Sequence, residues 1–185
     1  MRRLLVPVLL SALASAACVA AQPAPEAGPA ASPFYEMVVT APGSRSQGVR
    51  GTLYDAAGQP LPDVPTLEPV QTAIGPFDQI GCQYLWSVCG YLRRAEGFVP
   101  GGPDNDPTAT GPTLFRVSRT GPAAAPVYRG ELFDGAAAVG RGSGRIVTPM
   151  GIFVWRDGPF MGQGWSGWIP LDWLLADQRP QGPRR

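Results

Sequence analysis

The chain has 185 residues, with 15 Arg, no Lys, no His, 14 acidic side chains and a formal net charge of +1. This near-neutral balance gives no electrostatic case for nucleic acid or an anionic membrane surface as a partner. The absence of His excludes His-based metal sites and every triad with an imidazole base, so catalysis would have to use carboxylates, Tyr or Cys.

Residues 1–21 are predicted to be a secretory signal peptide. Arg2 and Arg3 precede an apolar stretch, residues 4–17, that is shorter than a membrane span, and small residues stand just before Gln22. Removing the signal would change the net charge from +1 to −1. An alternative stays open: residues 15–18 resemble a lipoprotein signal that would place a lipid on Cys18, although Ser15 departs from the usual aliphatic residue. The protein is therefore expected to be exported and periplasmic, either freely or as a membrane-anchored lipoprotein.

The next stretch, residues 22–33, is a Pro/Ala-rich linker that has nothing to bury and is expected to be extended. Residues 34–112 are predicted to form a β-rich N-terminal region. Its strand signals are a β-branched and aromatic run at 34–40 and an alternating run at 49–55, followed by a Pro-rich loop.

Two interpretations compete for residues 77–96, which contain Cys82 and Cys89. Cys82, Leu85, Cys89 and Leu92 recur at helical spacing, but glycines beside the cysteines weaken a helix. Positions seven apart in one helix are separated by about 10.5 Å along its axis, too far for a disulfide. Because exported thiols tend to oxidise, a Cys82–Cys89 disulfide in a bent segment is favoured over a helix with two buried thiols.

The loop at residues 97–112 contains Asp104, Asn105 and Asp106 among Gly and Pro. Such side chains can bind calcium, but calcium needs six to eight oxygen ligands and no bidentate Glu follows at the expected distance. The sequence therefore favours a solvated turn, and neither a metal site nor a cofactor is predicted.

Short apolar runs separated by turns fill the chain after Pro112. They lie at residues 114–117, 127–132, 136–139, 145–147, 152–155 and 168–169, with tight-turn signals at Asp134-Gly135 and Asp157-Gly158. This spacing is typical of a small barrel or sandwich. Residues 177–185 form a polar tail that is expected to be flexible.

Residues 113–176 resemble a bacterial Src-homology-3-type (SH3-like) domain of exported cell-envelope proteins. The opening strand and loop correspond to Val117-Ser118-Arg119-Thr120-Gly121-Pro122, and the closing strand to Gly167-Trp168-Ile169-Pro170-Leu171-Asp172-Trp173-Leu174. The sequence departs from the family pattern in a longer middle, residues 140–164, and in an inserted Thr120. The resemblance implies a mainly β fold, with a small SH3-like barrel at the C-terminus, an irregular β-rich N-terminal extension and one short helical or disulfide-closed segment.

Aromatic residues cluster near the C-terminus, with three Trp within nine positions. Trp168 and Trp173 are predicted to fill the core. A second group is predicted to line an exposed rim that binds a Pro-rich peptide or a glycan, with burial in the core left open as the alternative for its aromatic members. This group comprises Tyr128, Trp155, Arg156, Phe160 and Trp165.

The favoured function is a non-enzymatic envelope binding or scaffold module for a peptide, a peptidoglycan fragment or an envelope protein. One alternative is a structural or inhibitory partner protein without a small ligand. Another is a carboxylate-based cell-wall hydrolase that uses Asp134, Asp157 and Asp172, although their turn settings explain these residues without chemistry. An enzyme would need two carboxylates in one pocket.

Overall fold

The described part of the protein is mainly β, as predicted, and contains one short helix. The structure, a computed structural model, describes residues 33–44, 47–82, 88–93, 110–122 and 124–177. The described elements are β1 (Pro33–Thr40), β2 (Gly48–Leu53), β3 (Val70–Thr72), β4 (Gly75–Ile80), β5 (Val88–Leu92), β6 (Leu114–Thr120), β7 (Val127–Asp134), β8 (Ala137–Ala138), β9 (Arg145–Thr148), β10 (Gly151–Phe160), β11 (Gln163–Pro170) and α1 (Leu171–Asp177).

The strands form one open sheet in the order β3-β4-β5-β2-β1-β6-β7-β11-β10-β9, with β8 attached to β7. The C-terminal strands do not close a separate barrel, because the free edge of β6 pairs antiparallel with β1. That pairing makes the predicted N-terminal and C-terminal regions parts of the same sheet. The described residues belong to one compact unit.

The strand order is symmetric about its centre, because the chain contains two structurally equivalent repeats that lie side by side in the sheet. Strands β1–β5 form the first repeat, and β6, β7, β9, β10 and β11 form the second. In each repeat the first two strands pair antiparallel, and the second strand pairs parallel with the last. The sequence repeats at matching positions, as Arg50-Gly51-Thr52-Leu53-Tyr54-Asp55 and Arg129-Gly130-Glu131-Leu132-Phe133-Asp134.

A pseudo-twofold axis relates the repeats and passes between β1 and β6. The register is symmetric about one pair, Glu36 opposite Arg116, with Tyr35 opposite Val117 and Met37 opposite Phe115. The central pair forms an ion pair, Arg116 Nε to Glu36 Oε1 at 2.7 Å, so opposite charges join the repeats on the axis. The two repeats thus contact each other through equivalent strands, β1 and β6. This is the geometry of a twofold dimer interface, found here within one chain.

Glycines allow the two parallel strand pairs to approach closely. Gly51 lies opposite Gly90 in the first repeat, and Gly130 lies opposite Gly167 in the second. A Cβ atom on Gly51 would lie 1.9 Å from the Tyr91 carbonyl oxygen, and one on Gly130 would lie 1.8 Å from the Trp168 carbonyl oxygen. Both positions therefore require glycine for lack of space, and the requirement occurs at the same place in each repeat.

Trp173 lies at the centre of the core, which both repeats share. The residue is in α1, which begins directly after Pro170, and its ring centroid lies 5.7 Å from Tyr35 and from Phe77 of the first repeat. It also lies 5.8 Å from Phe115 of the second. Trp168 and Trp173 are both buried, as predicted. The helix at the chain's end thus packs on both repeats.

The predicted disulfide between Cys82 and Cys89 is present, with Cα atoms 4.4 Å apart. The alternative, a helix through this segment, is wrong because β4 and β5 pair antiparallel as a hairpin and place Gln79 opposite Tyr91. The bridge closes that hairpin where its strands end.

Several sequence predictions lie outside the described residues. They are the signal peptide at 1–21 with Cys18, the linker up to residue 32, the Asp104–Asn105–Asp106 loop and the tail beyond residue 177.

Candidate functional site

The β10–β11 hairpin places two tryptophans side by side on one face of the sheet. Trp155 lies directly opposite Trp168, and their ring centroids are 5.5 Å apart in an edge-to-face arrangement. Trp168 is buried and donates its indole N–H to the carbonyl oxygen of Val139 at 2.9 Å. This bond holds the loop after β8 against the hairpin, and the buried Trp168 ring packs against the Trp155 ring.

Trp155 is only half-buried, because the residue on its other flank has no side chain. Its backbone N–H donates to the carbonyl oxygen of Gly144 at 2.8 Å, and an added Cβ on Gly144 would lie 3.9 Å from the Trp155 Cβ. Residues 139–144 contain three glycines and the exposed Arg141. We call the surface formed by Trp155, Asp157 and this loop the Trp155 face.

A carboxylate holds the orientation of the Trp155 ring. The indole N–H of Trp155 donates to Asp157 Oδ2 at 2.8 Å, and residues two apart on a strand lie on the same face. The Trp155 face therefore presents an apolar ring held in place at its polar edge. A fixed aromatic ring binds ligands with little loss of side-chain entropy, so it is suited to recognition.

Arg156, which is predicted to share a ligand-binding rim with Trp155, is adjacent to it on β10 and therefore lies on the opposite face of the strand. Its guanidinium donates twice to the carbonyl oxygen of Pro159, from Nε at 3.2 Å and from Nη2 at 2.6 Å. The structure thus places the two residues back to back.

The other three predicted ligand-binding residues, Tyr128, Phe160 and Trp165, have buried side chains. Phe160 and Trp165 pack edge to face at 5.4 Å, and Tyr128 packs against Phe34 at the same distance. Of the five residues, Trp155 and Arg156 have partly exposed side chains. A ligand-binding role for the set stays a prediction.

The first repeat covers the position that corresponds to Trp155. There β4 carries Gln79 opposite Tyr91, and Gln79 is 93% buried. Its amide donates to Asp63 of the loop at residues 62–69, and Asp63 also pairs with Arg50. The Tyr91 hydroxyl donates to the carbonyl oxygen of Pro62 at 2.8 Å, as the Trp168 indole N–H does to that of Val139. The fold therefore does not require a tryptophan at this place.

Arg93, which was not predicted to be a functional residue, lies buried between the repeats. Its guanidinium donates to the carbonyl oxygens of Ile74 at 2.7 Å and Trp173 at 3.3 Å, and it lies 5.1 Å from the Phe160 ring centroid. Burial lowers the pKa of Arg93, and the negative charge of Asp172 opposes that shift. In the sequence, Arg93 is recognisable only as a basic residue directly after an apolar strand. That pattern does not indicate that its side chain is buried.

A cavity of about 30 Å³ beside Arg93 is lined by Tyr35, Asp172, Trp173 and apolar side chains. The Tyr35 hydroxyl is fully buried and has no hydrogen-bond partner among the described residues. Burial, followed by the charge of Asp172, raises the pKa of Tyr35 far above its ordinary value. The volume suits a buried water molecule or two and is too small for an organic ligand, so the Trp155 face is the better candidate site.

The three carboxylates considered for hydrolysis have different surroundings. Asp134 ends β7 in an exposed turn, Asp157 holds the Trp155 ring, and Asp172 accepts the Trp173 backbone N–H at 3.0 Å. Within the described ranges, no group of three or more His, Cys, Asp or Glu is placed to hold a metal ion. This arrangement provides no shared pocket for a pair of catalytic acids.

The chain matches no family model, no curated protein and no solved structure. Among the described residues, no helix is long and apolar enough to span a membrane.

Proposed function

We propose that this protein is an exported cell-envelope binding or scaffold module that recognises a peptide, a cell-wall fragment or an envelope protein through the Trp155 face. The observation that carries the proposal is the half-exposed Trp155 ring, whose counterpart in the first repeat is a covered Gln79. The fold does not require an aromatic side chain at this position, and the neighbouring loop of three glycines leaves its ring accessible. A ligand could therefore pack against the Trp155 ring.

Two features support the envelope setting. The first 21 residues have the pattern of a signal peptide, and the fold contains a disulfide, which forms and persists in oxidising compartments. The resemblance of residues 113–176 to SH3-like envelope domains agrees with a binding role. Lipidation at Cys18 would add a membrane anchor, and intact-mass spectrometry of protein from an exporting host separates a chain that starts at Gln22 from a lipidated one.

Binding is tested by titrating the purified protein with a Pro-rich peptide and with soluble peptidoglycan fragments, followed by Trp fluorescence and calorimetry. Trp155→Gln is the informative variant because Gln occupies the matching position of the first repeat, so the fold is expected to accept it. Val147→Ala, at an exposed apolar residue on edge strand β9, is the matched control.

We expect at least tenfold weaker binding for Trp155→Gln and unchanged binding for Val147→Ala. Equal affinity in the wild type and in Trp155→Gln would show that the ligand binds elsewhere. Arg156→Gln, on the opposite face of β10, then tests whether that face takes part.

A further inference from the structure

The loop at residues 62–69 displays apolar side chains to solvent. Seven consecutive residues, 62–68, are exposed, and within them Leu67 is fully exposed and Val64 is 61% exposed. Prolines stand at positions 60, 62, 65 and 69. Val64 and Leu67 thus give this proline-rich segment a small apolar surface for a partner to bury.

The loop is held in place at its base. Asp63 binds both Arg50 and Gln79, and the Tyr91 hydroxyl binds the Pro62 carbonyl oxygen. Further along, the Thr66 hydroxyl donates to the Glu68 carbonyl oxygen at 2.8 Å. Because these bonds and the prolines already restrict the loop, little conformational entropy remains to be lost when Val64 and Leu67 are buried by a partner.

The Trp155 face has the complementary properties. Segments rich in proline dock on exposed aromatic rings, and the loop beside Trp155 contains three glycines that leave room for an incoming chain. The charges are also complementary, since the docking loop carries Glu68 and the glycine loop carries Arg141, both exposed.

The first repeat shows that a loop can cover this place on the fold. There the 62–69 loop already lies over the position equivalent to Trp155, with Asp63 bonded to Gln79 and with Pro65 Cγ 3.9 Å from a Cβ added to Gly81. In the second repeat the corresponding loop is shorter and rich in glycine, so the equivalent position is open. A loop of the 62–69 type thus has a place on this face of the fold.

We propose that the 62–69 loop of one copy docks on the Trp155 face of a second copy, with Val64 and Leu67 packed against the Trp155 ring. The loop lies between β2 and β3 and is bonded to Gln79 of β4, whereas Trp155 belongs to β10. Strands β4 and β10 are near opposite ends of the strand order. The contact is therefore head to tail and leaves one loop and one face free at each step, so it generates chains or rings larger than a dimer. This proposal rests on the Trp155 face of the proposed function and names a partner for it.

Sedimentation equilibrium of the full chain over a range of concentrations tests the proposal. The wild type is expected to show a mass that keeps rising with concentration beyond that of a dimer. Leu67→Ser removes the loop's anchor and Trp155→Gln removes its platform, and each is expected to weaken self-association at least tenfold. Val147→Ser, which removes an exposed apolar side chain elsewhere, is expected to associate like the wild type.

A mixture of the two variants gives the decisive result. Trp155→Gln retains an intact loop and Leu67→Ser retains an intact face, so an equimolar mixture is expected to form a heterodimer that cannot grow. A wild type that stays monomeric, variants that associate like the wild type, or a mixture without heterodimer would overturn the proposal. Retained binding of an external peptide by Leu67→Ser would show that the Trp155 face works even where self-association fails.

Discussion

The close approach of β7 and β11 gives the strongest prediction about stability. Gly130→Ala would place a methyl carbon 1.8 Å from the Trp168 carbonyl oxygen and 2.8 Å from Trp165 Cζ2. Ordinary carbon–oxygen contacts are about 3.3 Å or longer, so the strands would have to separate by about 1.5 Å. A hydrogen bond of about 2.9 Å does not survive such a displacement.

The expected loss follows from the ladder that is disrupted. The β7–β11 pairing includes four residue pairs, and losing about three backbone hydrogen bonds at about 1 kcal/mol each, together with displacement of Trp165 and Trp168, gives roughly 3–5 kcal/mol. Domains of this size have about 5–15 kcal/mol in total. Gly130→Ala is therefore expected to lose a large part of the protein's stability.

The free energy of unfolding is measured by urea denaturation followed by Trp fluorescence. Gly51→Ala tests the equivalent contact of the first repeat, where the added atom would lie 1.9 Å from the Tyr91 carbonyl oxygen. Gly140→Ala is the control, because no atom lies within 4 Å of the added Cβ, and it is expected to be neutral or to stabilise by about 0.5 kcal/mol. A Gly130→Ala protein within about 1 kcal/mol of Gly140→Ala would refute the steric argument.

Three further predictions concern the disulfide, a raised tyrosine pKa and the buried arginine. Replacing both Cys82 and Cys89 by Ser is expected to lower the free energy of unfolding by about 2.5 kcal/mol through the reopened loop, and the oxidised wild type should resist alkylation and weigh two protons less than its reduced form. Burial and then the hydrogen bond to Glu36 raise the pKa of Tyr54 to about 12 from 10.0. The stability that the neutral Tyr54 hydroxyl contributes is present below pH 10 and is lost as the pH rises towards 12. Urea titrations should therefore show that the difference in the free energy of unfolding between the wild type and Tyr54→Phe shrinks over that range. A constant difference would contradict the prediction. Arg93→Ala leaves two buried carbonyl oxygens unpaired and creates a void, so it is expected to lower the free energy of unfolding by about 3–5 kcal/mol. Arg93→Met fills the void and is expected to lower it less. Equal losses in the two variants would mean that filling the space contributes nothing.

Local patterns in the sequence predict much of the secondary structure. The short apolar run at residues 127–132 predicts a strand, and the structure places it in β7 with Tyr128 and Leu132 buried. The disulfide follows from chemistry and spacing, since Gly81 and Gly90 weaken the helix that the apolar stripe suggests. In the structure all five residues of β5 are buried, so the stripe reflects a strand that is covered on both faces.

The pairing of distant strands could not be predicted in the same way. The aromatic residues predicted to line a rim are an example. The exposure of Trp155 depends on Gly144, which lies beside it on the neighbouring chain segment, and the burial of Trp165 depends on α1, whose Trp173 packs against it. The repeat did leave a signal, Arg-Gly-x-Leu-x-Asp at residues 50–55 and again at 129–134. The intervening loops differ in length, and this difference hides the period.

The two repeats together distinguish what the fold requires from what one repeat adds. Both contain the close-packed glycine pair. Both also contain a Thr whose hydroxyl spans the turn between an edge strand and its neighbour, Thr72 to the Gly75 carbonyl oxygen at 2.6 Å and Thr148 to that of Gly151 at 3.0 Å. These features are structural because they occur twice in the same contacts. Where the repeats differ, the first has a disulfide and a proline-rich loop, and the second has an open tryptophan beside glycines. A requirement of the fold would have been met in both repeats, so these differences are where binding should be sought.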